Sequence, residues 1–318
     1  MSERVVWWNG KLIPESEAKI SIYDEAMMFG STVFEMTRSF NKNQFMLMEH
    51  INRLYNGLKI LRINITMSKQ DMYDACMETI KANNFSDDEE DRLMINVTRG
   101  LLGIYHEVGP TTPNVIIADF PLRWTVQSMG HLFDTGINAV IPSQRNIPAS
   151  LLEPKIKNRS RIHYLMANIE VSNYSGKDNW ALLLDNDGFI TEGTGDNFFI
   201  VKNGKVITPE GRNILRGVSR DYIIEICKIN NIECIEKNIE PYDVYTADEA
   251  FMSGTPFCML PVTSLNSVKI GDGKVSNMYK RLLKIWSDDV GVDIEKQIKG
   301  WNKKCTSGIT PYEFKKEN

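Results

Sequence analysis

Two consecutive turn signals set between apolar runs constrain the fold of this chain most. Ala181-Leu182-Leu183-Leu184 runs into Asp185-Asn186-Asp187-Gly188 and on to Phe189-Ile190-Thr191. Phe198-Phe199-Ile200-Val201 then meets Asn203-Gly204 and Val206-Ile207. Short apolar runs broken by Gly, Asn and Asp form hairpins. Asn9-Gly10, just after Trp7, predicts another near the start. Helical spacing alternates with these strands. Ile51, Leu54, Leu58 and Leu61 fall on one stripe of a helix over 47–63, and such a stripe packs inward. Further helices are expected over 71–84, 160–172 and 219–230, the 160–172 helix with Ile162, Leu165, Met166 and Ile169 on one face. Apolar strands are expected over 93–98 and 114–118. The chain therefore reads as α/β (α+β).

At 318 residues it is long enough for two domains, each with a core. Between 121 and 136, Pro, Gly, Gln and Ser interrupt the pattern, which places the domain connection there. We expect a small N-terminal domain over 1–120, an interdomain loop over 121–136 and a larger domain of mixed β structure over 137–291. A polar, Lys-rich tail or capping element follows over 292–318. The acidic run Asp87-Asp88-Glu89-Glu90-Asp91 reads as a solvated loop.

Composition removes several function classes. A formal net charge of −4 gives no broad surface for nucleic acid. No apolar run approaches the roughly 20 residues of a membrane helix. The N-terminal residues lack the basic and apolar regions of a secretory signal. The five cysteines are odd in number and none pairs in CxxC spacing, as for reduced thiols in a cytoplasmic protein. His50, His106, His131 and His163 are scattered, so no metal site is expected.

Five elements remain that can carry chemistry, each ordinary when taken alone. Lys157 precedes a helix; a buried lysine forms Schiff bases, although most lysines are merely solvated. Glu192 follows a strand in Thr191-Glu192-Gly193-Thr194-Gly195-Asp196-Asn197. A carboxylate there is either a surface turn residue or a partner that keeps a pyridinium nitrogen protonated. Gly217-Val218-Ser219-Arg220-Asp221 opens a helix with Ser219 as the N-cap, and free N–H groups at such a start bind phosphate. Ser253-Gly254-Thr255-Pro256 ends an apolar strand, where Gly254 allows close approach and Thr255 adds a hydroxyl. Arg53 lies off its helix's apolar stripe and suits a phosphate.

In this order and spacing, the lysine, Thr-Glu-Gly-Thr-Gly-Asp-Asn-Phe-Phe, Gly-Val-Ser-Arg-Asp and Phe-Met-Ser-Gly-Thr resemble the class IV (fold type IV) aminotransferases, most of all the branched-chain enzymes. Phe29-Gly30-Ser31-Thr32-Val33-Phe34-Glu35 and Glu49-His50-Ile51-Asn52-Arg53-Leu54 resemble that family's opening motifs. The similarity spans nearly all of 5–290. It implies a two-domain fold, pyridoxal 5'-phosphate as cofactor, an amino acid and a 2-oxo acid as substrates, and a homodimer. By resemblance, Lys157 forms the Schiff base and shuttles the proton, and Glu192 meets the pyridine nitrogen. Arg53, Val218, Ser219, Gly254 and Thr255 hold the phosphate end, and Gly195, Asp196 and Asn197 belong to the cofactor-binding set. Lys155 rivals Lys157: in an extended strand both face one side. The distance from Lys157 to Ala167 fits the family's spacing.

Some family features are missing. Ile162 stands where some branched-chain enzymes carry a tyrosine, with His163 and Tyr164 after it. Neither a Tyr-x-Arg nor an Arg-x-His pair stands at the expected places. Transfer from a branched-chain L-amino acid to 2-oxoglutarate is the favoured reaction. The alternatives are a D-amino acid or R-amine transaminase, a 4-amino-4-deoxychorismate lyase, and a non-catalytic binding protein on the same scaffold. The Phe34-Glu35 pair suits a transaminase better than the lyase. Phe34 is expected to line the substrate pocket. Arg38, on the same side by strand alternation, is expected to hold the substrate carboxylate, with Arg159 and Arg161 as alternatives.

Overall fold

A computed structural model of the chain describes residues 3–303, 310 and 312–314. The chain divides into two compact units, one of Met1–Leu122 with Ile156–Arg161, the other of Arg123–Lys155 with Ile162–Asn318. The expected loop over 121–136 is thus not a simple linker. It carries two short helices of the second unit, α4 (Arg123–Val126) and α5 (Leu132–Thr135).

The first unit contains β1 (Val5–Trp8), β2 (Lys11–Pro14), α1 (Glu25–Phe29), β3 (Thr32–Met36), β4 (Ser39–Phe40), β5 (Asn43–Gln44), α2 (Leu47–Leu61), α3 (Lys69–Asn83), β6 (Asp91–Thr98) and β7 (Asn114–Pro121). Asn9 and Gly10 have φ of 46° and 101°, the left-handed pair that a two-residue hairpin requires. The main sheet runs β2-β1-β7-β6-β3, antiparallel throughout. Ile51, Leu54 and Leu58 of α2 are buried as their spacing predicts. They share one core with Met72, Ala75 and Cys76 of α3 and with Leu93, Ile95 and Val97 of β6. Ser68 caps α3 in a reciprocal box with Asp71.

The segment around Lys157 is irregular rather than a strand. It runs beside β3, where the Phe34 N–H donates to the Lys157 carbonyl at 2.9 Å and Val33 bridges Asn158. Ile156 anchors it in the core, in the space that Gly57 leaves open. A Cβ on Gly57 would lie 2.9 Å from Val33 Cγ1 and 3.4 Å from Ile156 Cγ2.

The acidic run is solvated only in part. Asp87 and Asp88 are exposed, while Glu89, Glu90 and Asp91 are buried. Glu90 is satisfied by Ser39 Oγ and by the Asn41 and Lys42 N–H groups, so its burial leaves acceptors paired. Asp91 opposes Pro121, which places Asp119 diagonally across the ladder on the same face. Their exposures are 1% and 2%. Burial raises the pKa of both; the Asp91 charge raises Asp119 further, against the pull of Lys42. A raised folded-state value means that this contribution to stability is full below the ordinary carboxylate range and is lost as pH rises through the raised value. Asp119→Asn should therefore gain stability over the parent as pH rises from 5 to 9. The gain should be on the order of 2 kcal/mol, since a tenfold change in proton affinity corresponds to about 1.4 kcal/mol. Denaturant titrations at the two pH values measure it; a pH-independent difference would remove the buried pair as its cause.

The second unit contains α4, α5, β8 (Ile137–Val140), α6 (Ile162–Val171), β9 (Asn179–Leu184), β10 (Ile190–Gly193), β11 (Asn197–Lys202), β12 (Lys205–Thr208), α7 (Val218–Ile229), β13 (Cys234–Glu236), α8 (Pro241–Tyr245), β14 (Glu249–Gly254), β15 (Cys258–Leu265), β16 (Val268–Lys269), α9 (Asn277–Val290) and α10 (Ile294–Asn302). The strands run β10-β9-β8-β15-β14-β11-β12-β13, and β10 also pairs with β11. That pairing, Glu192 opposite Asn197, closes six strands on themselves. Both predicted hairpins are present, as β9–β10 and β11–β12.

The apolar stripe of α6 is not buried within its unit. Ala167, Val171 and the half-buried Tyr164 pack on Ala181 and Leu183. Ile162, Leu165, Met166 and Ile169 stay exposed, Ile162 at 72%. The expected tail begins as a helix, α10, with Ile294 and Ile298 fully buried. Beyond 303, the described residues are 310 and 312–314.

Candidate active site

In the first unit, Lys157 shares the surroundings of one buried ring. Its Nζ lies 5.0 Å from the centroid of Phe34, with Arg159 Cζ at 3.6 Å and Arg161 Cζ at 5.9 Å. The rival Lys155 is committed elsewhere: its Nζ pairs with Glu153 at 2.6 Å and donates to the Arg212 carbonyl at 2.9 Å. The segment is not an extended strand, so strand alternation does not apply to the two lysines.

Behind Phe34, the next residue of β3 is buried and charged. Glu35 accepts from Arg53 Nε at 2.6 Å and Nη2 at 2.7 Å, and its Oε2 lies 2.8 Å from His50 Nδ1. Burial alone would raise the Glu35 pKa, but the charge and hydrogen bonds of Arg53, with those of His50, hold it at about 2. Burial lowers the His50 pKa; Glu35 opposes this, while the Arg53 and Lys157 charges add to it. Arg53 is therefore oriented by a fixed carboxylate rather than solvated.

Arg38 stands apart. β3 ends at Met36, so alternation does not carry on to place Arg38 beside Phe34. Its side chain is 1% exposed, its guanidinium lies 3.9 Å from the Phe40 ring, and its Nε donates to the Ser39 carbonyl. A guanidinium enclosed in this way is poorly placed to meet a substrate.

In the second unit, Glu192 is 4% exposed and addressed by three elements. Tyr164 Oη of α6 donates to Oε1 at 3.0 Å, Asn197 Nδ2 of β11 donates to Oε2 at 3.0 Å, and the Leu215 N–H reaches both oxygens at 3.1 Å. Tyr164 was not among the expected site residues. The available signal was its helical spacing with Ala167 and Val171, hidden beneath the larger Ile162–Ile169 stripe. Asn197 Nδ2 also donates to the Leu215 carbonyl at 2.9 Å. Its Oδ1 would lie 2.1 Å from a Cβ on Gly217, so only glycine fits there.

Gly217, not Ser219, is the N-cap of α7, and no side chain caps that end. The first N–H groups of a helix without a side-chain cap suit an anion. Val218 and Ser219 open the helix, both buried. On the neighbouring strand, Ser253 lies opposite Asn197 in the ladder, followed by Gly254 and the half-buried Thr255. Ser253 Oγ is buried with no hydrogen-bond partner among the described residues. Gly195 lies against the Tyr312 ring, and the Asp196 carbonyl accepts from Gly193 N–H at 3.0 Å, which shapes the turn after Glu192. The ladder thus brings Glu192, Asn197, Ser253 and the start of α7 together. No group of three or more potential metal ligands exists among the described residues, and no described helix is long and apolar enough to cross a membrane.

The chain as a whole matches a known family. The model of amino-transferase class IV matches residues 32–265, and this chain belongs to that family. It is 38% identical over 287 residues to a putative branched-chain-amino-acid aminotransferase of Methanocaldococcus jannaschii, covering 89% of this chain and 95% of that protein. It is 31% identical over 283 residues to the branched-chain-amino-acid aminotransferase of Escherichia coli (strain K12), covering 87% and 90%. The solved branched-chain amino acid aminotransferase from Thermobaculum terrenum, in its PLP form, superposes with a TM-score of 0.80 at 26% identity, covering 94% and 97%. The chain is an aminotransferase, and enzymes of this class depend on pyridoxal 5'-phosphate. The donor set fits that group: Glu192 suits a pyridinium nitrogen, and the α7 start, Ser219, Thr255 and the unpartnered Ser253 hydroxyl suit a phosphate.

Proposed function

We propose that this enzyme transfers the amino group of a branched-chain L-amino acid to 2-oxoglutarate, using pyridoxal 5'-phosphate and working as a cytoplasmic homodimer. The observation that carries the cofactor assignment is the buried Glu192 carboxylate with its three donors. The names of the relatives support the branched-chain donor. When bound, the cofactor draws electrons away from the bonds at the substrate Cα.

The residues divide the remaining work. Lys157 Nζ would hold the cofactor at its aldehyde carbon and, once the substrate's own amine has displaced it there, would serve as the free amine that accepts and returns the Cα proton. Glu192 holds the proton on the ring nitrogen, with Tyr164, Asn197 and the Leu215 N–H fixing its carboxylate. Gly195 and Asp196 keep the turn that aims Glu192. The N–H groups of Val218 and Ser219, the Ser219 and Thr255 hydroxyls, the Gly254 backbone and the Arg53 guanidinium hold the phosphate. Glu35 positions Arg53 without touching the reacting atoms. Phe34, itself buried, backs the Arg159 guanidinium and so supports the pocket wall from behind. Arg38 receives no substrate role, because it is enclosed beneath Phe40.

The exposed Ile162, Leu165, Met166 and Ile169 of α6 and the exposed Met27, Met28 and Phe29 of α1 support a second copy as partner, since such apolar surface favours burial. Cys76, Cys227, Cys234 and Cys258 form no disulfide among the described residues, which agrees with a reducing compartment. A donor panel tests the reaction. With 2-oxoglutarate, L-leucine, L-isoleucine and L-valine should exceed their D-enantiomers and simple R-amines at least about tenfold in kcat/KM, a difference of ~1.4 kcal/mol. Turnover confined to D-amino acids or amines would overturn the donor assignment and leave the family membership intact.

A further inference from the structure

Arg159 carries a charge that no carboxylate among the described residues matches. Its Nε and Nη2 both donate to the neutral Asn96 Oδ1, at 3.2 and 2.8 Å, and Nη2 lies 3.2 Å from Met94 Sδ. Asn96 is the ladder partner of Phe34, so one register fixes both the ring under the guanidinium and the amide at its edge. Arg161 adds a second cation beside the same ring. Although Arg159 keeps an exposed edge, lost hydration and the Arg161 charge draw its pKa down to about 10. It therefore stays charged at neutral pH, held next to a like charge. An anion arriving there would relieve both costs.

The same surface is apolar in the other direction. A guanidinium lying flat on a ring offers a weakly hydrated face, with Phe34 and Met94 alongside. Its edge is a fork of donors that matches a carboxylate. A transaminase that accepts amino groups from branched aliphatic donors and passes them to a dicarboxylic acid must take both kinds of side chain at one place. We propose that Arg159, reinforced by Arg161, reads the second, side-chain carboxylate of the dicarboxylic partner, while the flat guanidinium face turned away from Phe34 and the Met94 side chain beside it receive the branched side chain. The assignment rests on the transamination proposed above. It is a role distinct from the one expected of Arg38, and it falls on the segment that carries Lys157.

Binding of two unreactive acids to the purified holoenzyme tests it: glutarate, with two carboxylates, and 4-methylpentanoate, with one. Arg159→Ala should weaken glutarate at least about tenfold by calorimetry, the scale of a lost charge-assisted hydrogen bond, and 4-methylpentanoate less than about twofold. Arg159→Lys should recover part of the glutarate affinity, because it restores the charge without the fork. Arg161→Ala should weaken glutarate by a smaller factor. Equal losses for the two acids, or unchanged glutarate binding in Arg159→Lys and Arg159→Ala alike, would overturn the proposal. Arg159-dependent glutarate binding in an enzyme inactive on L-leucine would uphold this inference and sink the donor assignment instead.

Discussion

Lys157→Ala should reduce steady turnover by at least about 10⁴-fold, because on the proposed mechanism one amine would both hold the cofactor and move the substrate proton. Lys155→Ala should stay within about threefold of the parent, as expected for removal of a half-exposed ion pair. The two side chains are distinguished by their partners. Lys155 is tied to Glu153 and the Arg212 carbonyl, whereas Lys157 faces the Phe34 ring and contributes charge to the surroundings of His50. Steady-state rates with L-leucine check the pair. Surviving activity in Lys157→Ala with loss in Lys155→Ala would reverse the assignment.

The second large effect is expected at Glu192. Glu192→Gln keeps the shape of the side chain but replaces an acceptor oxygen with a donor nitrogen. That amide cannot accept from both Tyr164 and Asn197, so the mutation also disturbs a satisfied buried network. The helix start and hydroxyls that suit the phosphate are untouched, so the cofactor should remain bound. Without a carboxylate at the ring nitrogen, proton removal from Cα should slow by roughly 10²–10³-fold. Single-turnover mixing with L-leucine reads that step directly. Tyr164→Phe, which removes one donor and leaves the carboxylate, should slow it by less than about tenfold. Equal rates in the parent and Glu192→Gln would take Glu192 out of the mechanism.

The hairpins were legible because Asn9-Gly10 and Asn203-Gly204 require left-handed backbone that few residues adopt, and both glycines have positive φ. The α2 stripe was legible because its spacing matches a single buried face. Glu192 and Asn197 could be placed because a hairpin and the following strand bring them into register. Other features depend on long-range contacts that local patterns do not encode. Glu90 is buried because Ser39, Asn41 and Lys42, some fifty positions earlier, supply its donors. The lysine segment groups with the first unit because Gly57 leaves room for Ile156. In α6, the larger apolar stripe drew attention to the exposed face, while the smaller Tyr164–Ala167–Val171 face packs inward and delivers the Glu192 partner. Arg38 was placed by an alternation that stops two residues earlier, where β3 ends.

Chemical location of the cofactor tests the central claim most directly. Borohydride reduction of the purified holoenzyme, followed by digestion and mass mapping, fixes the attachment point independently of any substrate. The account predicts a pyridoxyl group on Lys157 and none on Lys155. A label on Lys155, or holoenzyme that yields no labelled lysine, would contradict it.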